Sequence, residues 1–325
     1  MLINQANLTD LFRSFRTVYD QAMQAAPIVS NDFVMAQPSD SIEEKYAWLG
    51  AVPGMQKLVD EPVIQNLSAS DFTVVNEEFV DTVAVKRFVI ETDKYGVYKP
   101  AFASMGDAAA FDQDIQVFNT ILAGFVADDY TGQPFFSANK IRTPGDPGFT
   151  NILVNGVGSQ EAHAPLSIYS FRAARANLMS RVNAKRRPMN LGRKLILVVG
   201  AALEPIARQI LVADTIIQAN VGNTSVAAVT NIDKGMAQIV TSALIDASAT
   251  PDAWFLFEVG LAVKPLVFQV NLKPILIAQT AEDTDANFLR KEFRYQAYGR
   301  YAPGYLLSDL AFGSKGTGSA MTAYP

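Results

Sequence analysis

The residues of this chain that could carry chemistry are few. It contains no cysteine, so disulfides, cysteine-ligated zinc and thiol nucleophiles are excluded. Its single histidine, His163, lies in the run GSQEAHAP, which favours a surface loop. One histidine removes most histidine-based catalysis and nearly all histidine metal sites. What remains is chemistry by carboxylates, hydroxyls and amines.

Three patterns of that kind occur, and each is weak. A Ser–His–acid triad would have to use His163, and no G-x-S-x-G elbow presents a serine. The run LILVVGAALEP has the strand, glycine and helix start of a nucleotide-binding turn, but neither G-x-G-x-x-G nor G-x-x-x-x-G-K-[ST] occurs. The carboxylate pairs at 128–129 and 77–78 are adjacent, so their side chains point apart and are predicted to be solvated. We therefore predict no enzyme activity and no catalytic, cofactor-binding or metal-binding residue.

One charged feature is distinctive. Between Glu161 and Glu204 the chain has no acidic residue, and the stretch KRRP at 185–188 predicts a compact basic loop. Contact with an acidic patch on a neighbouring subunit ranks first, a solvated surface second and nucleic-acid phosphates third. The net charge of −5 argues against compaction of nucleic acid by bulk charge. The candidate subunit-contact or DNA-facing residues are Arg172, Arg175, Arg181, Lys185, Arg186 and Arg187.

The stretch from 79 to 126 is predicted to be the one around which the rest of the chain is organised. FVDTVAVKRFVIE alternates β-branched residues and predicts a strand. PAFASMGDAAAFDQDIQVFNTILAGFV predicts one helix of about seven turns, a spine for other elements. Steps of four and three residues along that helix give a predicted core stripe of Phe111, Ile115, Phe118, Leu122 and Phe125.

The other elements are predicted as follows. An amphipathic helix before Pro27 is either an arm on a neighbouring subunit or, more often in proteins, packed on its own domain. The runs 61–76 and 79–91 could pair as an extended hairpin. The proline- and glycine-rich stretch 128–163 is a domain boundary. Beyond it come a helix, a strand and a helix, and then three strand candidates, DAWFLFEVG, KPLVFQVN and KPILIAQT.

Composition leaves two alternatives open. The chain has 325 residues, of which 49% are apolar and 18% charged. This balance indicates either a large core or apolar surface that other subunits cover. The first residues lack the pattern of a signal peptide, and no run reaches the length of a transmembrane helix. We expect a soluble, cytoplasmic product.

Five blocks of sequence, in order, carry a family resemblance. They are KYAWLG, FVDTVAVKRFVIETDKYGVYKP, MGDAAAFDQDIQVFNTILAGF, AWFLFEVGLAVKPLVFQVNLKP and KEFRYQAYGRYAPGY. Together they resemble the Mu-like phage major head subunit family across nearly the whole chain. The stretches 128–163 and 219–232 match no pattern of that family.

The resemblance implies an α+β fold, the Hong Kong 97-like capsid fold. It implies an amino-terminal arm, an extended-loop hairpin, a peripheral domain with the spine helix, and an axial domain. The corresponding ranges are 1–45 for the arm, 46–90 for the extended loop, 91–127 for the peripheral domain, 128–285 mostly for the axial domain, 286–313 for strands returning to the peripheral domain and 314–325 for a loose tail.

The resemblance also implies the function. The expected protein is the major capsid protein of a tailed phage or prophage, forming hexamers and pentamers of an icosahedral shell around double-stranded DNA. Its expected partners are copies of itself, non-specifically contacted DNA, and scaffold, portal and decoration proteins, with no membrane. It would reside in the virion after assembly in the bacterial cytoplasm. An encapsulin-like nanocompartment shell is the alternative on the same fold, and an α/β enzyme is the alternative from another class.

Overall fold

A computed structural model describes residues 5–46, 72–92, 97–143, 145–153, 163–184, 186–219, 226–281 and 284–318. The fold is α+β, as expected. Its helices are α1 Gln5–Ala25, α2 Arg87–Thr92, α3 Lys99–Ala123, α4 Ile168–Met179, α5 Glu204–Leu211, α6 Ala243–Asp246 and α7 Asp285–Arg290. Its strands are β1 Val34–Pro38, β2 Glu43–Lys45, β3 Thr73–Val75, β4 Glu77–Lys86, β5 Leu195–Val199, β6 Thr215–Ala219, β7 Val226–Thr230, β8 Gln238–Thr241, β9 Trp254–Glu258, β10 Leu266–Gln279, β11 Glu292–Tyr305 and β12 Ala311–Ser314.

The first sheet has the strand order β1-β10-β11-β4. β1 runs parallel to β10, whereas β11 is antiparallel to both β10 and β4. Alternate residues of β11 are buried, as expected for a strand with one covered face. Helices α1 and α3 cover that face, where Phe15 stacks on Phe102 with ring centroids 4.2 Å apart. The amino-terminal helix therefore packs on its own chain, which was the second of the two predicted alternatives.

The second sheet has the order β12-β9-β5-β8. Every residue of β5 and β9 is buried, because α4 and α5 cover one face and the carboxyl half of α3 packs against the other. The core between α3 and the second sheet also contains Phe33, which directly precedes β1, and Tyr305 of the first sheet. One helix thus contributes to the cores under both sheets, and the predicted long helix is present as α3.

The predicted core stripe of α3 is only partly correct. Phe118 is fully buried, and Leu122 and Phe125 pack partly buried against the same core, but Ile115 is half-buried and Phe111 is 48% exposed. The buried face lies one residue earlier, a rotation of about 100°. Small and polar side chains occupy that face, so its apolar pattern is weak. Its members are Phe102, Met105, Gly106, Ala110, Asp114, Val117, Phe118 and Ile121.

Gly106 and Asp114 explain why the buried face of α3 escapes hydrophobic patterning. A Cβ on Gly106 would collide with the carbonyl of Tyr19, so glycine allows α1 to approach closely. The carboxylate of Asp114 accepts hydrogen bonds from the backbone N–H groups of Val29 and Ser30, at 3.0 and 2.9 Å. These groups belong to a 3-10 turn, Val29–Asp32, whose start the carboxylate caps.

The predicted pairing of the runs 61–76 and 79–91 is wrong for the described residues. β3 pairs with β2, and β4 pairs with β11. The run RFVIET forms the helix α2. The strand β4 ends before this run because its partner strand β11 begins only at Glu292, and the helical turn buries Ile90. The β2–β3 ladder brings the two ends of 46–72 together, and Tyr46 N donates to Phe72 O at 2.8 Å. Residues 47–71, the centre of the predicted extended loop, lie outside the described residues.

Three further predictions need correction at the carboxyl end. KPLVFQVN and KPILIAQT form the single strand β10, in which register shifts on both sides of Leu272 accommodate Pro274. The range 286–313 does not return to one sheet, because β11 lies in the first sheet and β12 pairs with β9 in the second. The loose tail begins later than predicted. Ser314 is buried and donates to Ala164 O at 2.6 Å, and Gly318 N donates to His163 O.

Candidate functional site

Arg181 is buried rather than exposed on a contact surface. It is 3% exposed and stacks over the Phe149 ring at 4.8 Å. Its guanidinium donates to the carbonyls of residues 150, 308, 309 and 311, which come from two separate segments. Burial lowers the pKa of Arg181 to about 9, and the nearby charge of Asp309 opposes that effect, so the group stays cationic at neutral pH. Arg181 is therefore a structural residue, which corrects its assignment to subunit or DNA contact.

A second arginine fastens the irregular stretch after α3 to the same region. Arg142 makes a bidentate pair with Asp146, with N–O distances of 2.7 and 2.8 Å, and also pairs with Asp309. It donates to the carbonyl of Val182 at 2.9 Å as well. Burial alone would lower the pKa of Arg142, but the hydrogen bond to Asp146 and the charge of Asp309 outweigh it and raise the pKa.

A buried lysine stabilises the beginning of that stretch. The Lys140 ammonium lies 2.8 Å from a carboxylate oxygen of Asp129, and neither side chain is exposed. It also donates to the carbonyls of Gln133 and Pro134, at 3.0 and 2.7 Å. Because the three acceptors fill the donor capacity of an ammonium, this group is a structural clamp. Residues 129–140 of the stretch predicted as a boundary are thus held together by a buried ion pair.

The two arginines on α4 do not form a shared exposed patch. Arg172 forms an ion pair with Asp233 at 2.7 Å, which ties α4 to the turn after β7. Arg175 is half-buried, and its Nε is buried without a hydrogen-bond partner. The basic block therefore serves the fold first, since Arg172 and Arg181 both point at acceptors of their own chain.

The exposed part of the basic block is a tight turn, here called the basic turn, residues 182–184 and 186–188. Val182 and Pro188 form a β-bridge, and Arg186 N donates to Asn183 O at 2.8 Å. Arg186 has a φ of 59°, a left-handed conformation that a non-glycine residue rarely adopts. Arg186 and Arg187 are both exposed, and Lys185 lies outside the described residues.

A groove between α3 and β4, here called the α3–β4 groove, is an apolar opening beside the spine helix. Its volume is about 330 Å³. Phe79 stacks on Tyr301 with ring centroids 4.5 Å apart, and the Tyr301 hydroxyl donates to Asp112. The groove is lined by Phe79, Asp81, Met105, Phe111, Ile115 and Tyr301, among others. Phe111, predicted as core, is thus part of an exposed apolar surface.

His163 is buried, which corrects its prediction as a surface-loop residue. It is 4% exposed and meets the Phe125 ring edge-on at 5.2 Å. Burial lowers the pKa of His163 to about 4, and the positive charge of Lys315 adds to the effect. The imidazole is consequently neutral at pH 7 and serves as a packing residue.

Chemical sites are not found in the described ranges. No group of three or more histidine, cysteine, aspartate or glutamate side chains could hold a metal there. No described helix has the length and hydropathy needed to cross a membrane. The buried charges of Lys140, Arg142 and Arg181 are engaged by neighbours of their own chain, whereas the basic turn and the apolar groove are exposed. Such features suit contact with a macromolecule.

Comparison with known proteins agrees with this arrangement. A family model described as Mu-like prophage major head subunit gpT matches residues 8–161 and 229–323, which includes most of 128–163. The major capsid protein of Escherichia phage Mu is 25% identical over 316 residues, covering 97% of this chain and 76% of that protein. The Mu-like prophage FluMu major head subunit of Haemophilus influenzae is 28% identical over 159 residues, 47% of this chain and 52% of that protein.

A solved structure shows that the fold is that of a capsid protein. The procapsid of bacteriophage JBD30 matches with a TM-score of 0.56 and 23% identity, over 96% of this chain and 76% of that one. The family match covers well over half of the sequence. The chain therefore belongs to the Mu-like prophage major head subunit gpT family and is a phage major capsid protein.

Proposed function

We propose that the chain assembles with copies of itself into the hexamers and pentamers of an icosahedral shell that encloses double-stranded DNA. The observation that carries the proposal is the helix α3, which packs against both sheets and makes one stiff subunit of them. A shell needs such subunits, because many modest interfaces must keep a constant geometry over the whole surface. The likeness to a solved procapsid supports the same reading.

Within the shell we assign the parts of the chain as follows. The arm is 1–45 and the extended loop 46–90, supported by the β2–β3 ladder at the base of that loop. The peripheral domain contains α3 with the first sheet, so β1 is taken from the arm range, β4 from the extended-loop range and β10 from the axial range, and all three join 91–127 and β11. The axial domain is the rest of 128–285, to which β12 is added because it pairs with β9.

We further propose that scaffold, portal and decoration proteins act on the assembled shell, and that DNA is contacted non-specifically. The net charge of −5 favours few DNA contacts per subunit. The mature location would be the virion, after assembly in the bacterial cytoplasm. An encapsulin-like compartment is less favoured, because the matched family and both curated relatives are phage head proteins.

Electron microscopy of the purified chain tests the proposal. We expect closed shells or free capsomers when the chain is expressed alone or with the neighbouring head genes. The contents of shells from infected or induced cells separate the two shell functions, since genomic DNA indicates a phage head and enzyme cargo a compartment. A chain that stays monomeric or dimeric under all these conditions would contradict the assignment.

A further inference from the structure

Charge is divided unusually along this chain. From Pro100 to Asn139 there are acidic residues but no lysine or arginine, and this range holds most of α3. Between Glu161 and Glu204 the reverse holds, and that range contains the basic turn. The groove falls within the residues that the family model matches, and the basic turn lies between the two matched segments. The α3–β4 groove and the basic turn thus present opposite charges.

The groove combines an apolar floor with an acidic rim. Phe111 is half-exposed and Val80 is 61% exposed at its opening. Asp81 of β4 lines the groove, and Glu77 lies four residues before it on the same face of the strand, because alternate residues of a strand lie on one side. Asp81 has no ion-pair partner among the residues that the structure describes. The rim can therefore bind a cationic group that also packs on aromatic rings, as the guanidinium of arginine does.

The basic turn is built to present such groups. Arg142 and Arg181 stabilise the base of this turn by hydrogen bonds. Arg142 donates to the Val182 carbonyl, and Arg181 donates to four backbone carbonyls. The left-handed φ of Arg186 fixes the tip, and its side chain is exposed. Pro188 and the half-exposed Met179 add apolar surface beside the arginines. A turn fixed before contact loses less conformational freedom on binding.

We propose that the α3–β4 groove of one subunit receives the basic turn of a second copy of this chain. Arg186 and Arg187 would lie against Glu77 and Asp81 of the neighbouring copy and cover Phe111. This inference rests on the proposed shell function, of which it names one interface. The opposite charges at the rim determine which surface binds in the groove and in which position. The apolar floor excludes water from the contact.

A charge exchange tests the contact. Arg186→Glu with Arg187→Glu should lower the yield of shells about tenfold or more, because like charges then meet at the rim. Glu77→Lys with Asp81→Lys should do the same, and the four changes together should restore assembly. The matched control is Arg208→Glu with Lys234→Glu, which makes the same change of charge at two exposed positions on another surface. The control should assemble as the unmodified chain does.

Cross-linking gives an independent readout, since the chain has no cysteine of its own. Arg186→Cys and Asp81→Cys subunits are mixed, assembled and treated with a short bismaleimide. Dimers that contain one subunit of each kind support the contact, and either variant alone should give few. Circular dichroism and thermal unfolding of the free subunits establish that each variant is folded.

The outcomes separate this inference from the shell function. If the unmodified chain forms no shells or capsomers, the shell function fails. If it forms shells but the basic-turn variant assembles equally well, or the four changes do not restore assembly, or mixed subunits do not cross-link, the proposed contact is wrong and the shell function stands. An equal loss in the control variant would also overturn the contact, since general charge repulsion would explain it.

Discussion

At the scale of single residues, buried charge holds the irregular parts of this subunit in place. Arg181 joins two distant segments to its own by donating to their carbonyl groups, a connection that secondary structure makes elsewhere. A carbonyl that loses such a donor in the interior keeps its desolvation cost without compensation. The stability of the region after α3 thus depends on a few side chains.

Arg181→Met should lower the free energy of unfolding of the free subunit by about 3–5 kcal/mol, because it leaves several buried carbonyls without a donor. Arg181→Lys should recover only part of the loss, since an ammonium cannot reproduce the planar fork of a guanidinium. Urea denaturation followed by circular dichroism measures both. Changes below about 1 kcal/mol in the methionine variant would show that water replaces the guanidinium.

His163 makes the stability of the subunit depend on pH. Its pKa is about 4 in the fold and 6.5 ordinarily, so the unfolded chain binds a proton between those values that the folded chain does not. The free energy of unfolding therefore falls as the pH falls through this window, by about 2 kcal/mol at pH 5 relative to pH 7. His163→Leu should lack this part of the acid dependence.

The comparison requires urea denaturation of both proteins at pH 7 and pH 5, and the difference between them isolates the imidazole from the carboxylates. Because the chain has one histidine, its ring signals in an NMR spectrum need no further assignment. A titration of those signals near the ordinary pKa would contradict the buried position.

Residue roles were the part of the site least predictable from sequence. The basic block was visible because acidic residues are missing over a long range, and the exposure of Arg186 and Arg187 agrees with the predicted loop. The burial of Arg181 and His163 was not visible. It depends on partners such as Ser308 and Lys315, which lie more than a hundred residues away in sequence and carry no local pattern.

At the scale of elements, the long helix and the buried strands β5 and β9 were predictable, because runs of apolar or β-branched residues set their type. The face of α3 was not. Phe111 and Phe118 are equally apolar, yet one lines a groove and the other fills the core, and only Gly106 and Asp114 on the neighbouring stripe mark the buried side.

That difference gives a matched pair of variants. Phe118→Ala should destabilise the free subunit by about 3–5 kcal/mol, because it leaves a cavity between α3 and the second sheet. Phe111→Ala should change the same quantity by less than about 1 kcal/mol. If the groove is a contact surface, the second variant should nevertheless assemble poorly. Equal destabilisation by the two changes would place Phe111 in the core after all.

At the scale of the whole molecule, the residues on either side of the segment 47–71 are neighbours in the fold, joined by the ladder of β2 and β3. The N–H of Tyr46 and the carbonyl of Phe72 are joined by a hydrogen bond, so a short linker can replace what lies between them. The ladder of β2 and β3 remains intact in such a variant.

Replacing residues 47–71 by a few glycine and serine residues should leave the thermal unfolding of the free subunit nearly unchanged and abolish shell formation. The reason is that the proposed extended loop acts between subunits, whereas its base belongs to the fold. Calorimetry and electron microscopy provide the two readouts. Normal shells from the shortened chain would refute the loop assignment, and an unfolded product would show that the segment serves the subunit itself.

The strand order of the first sheet has a consequence for synthesis on the ribosome. Its outer strands, β1 and β4, are made early, but the two strands that lie between them, β10 and β11, are made last. A nascent or prematurely terminated chain that stops before Glu292 cannot close this sheet, because the partner of β4 has not been made. Only chains that include β11 can therefore present a finished α3–β4 groove. If the groove is a contact surface, this topology keeps shorter translation products out of that contact before any partner has to recognise them.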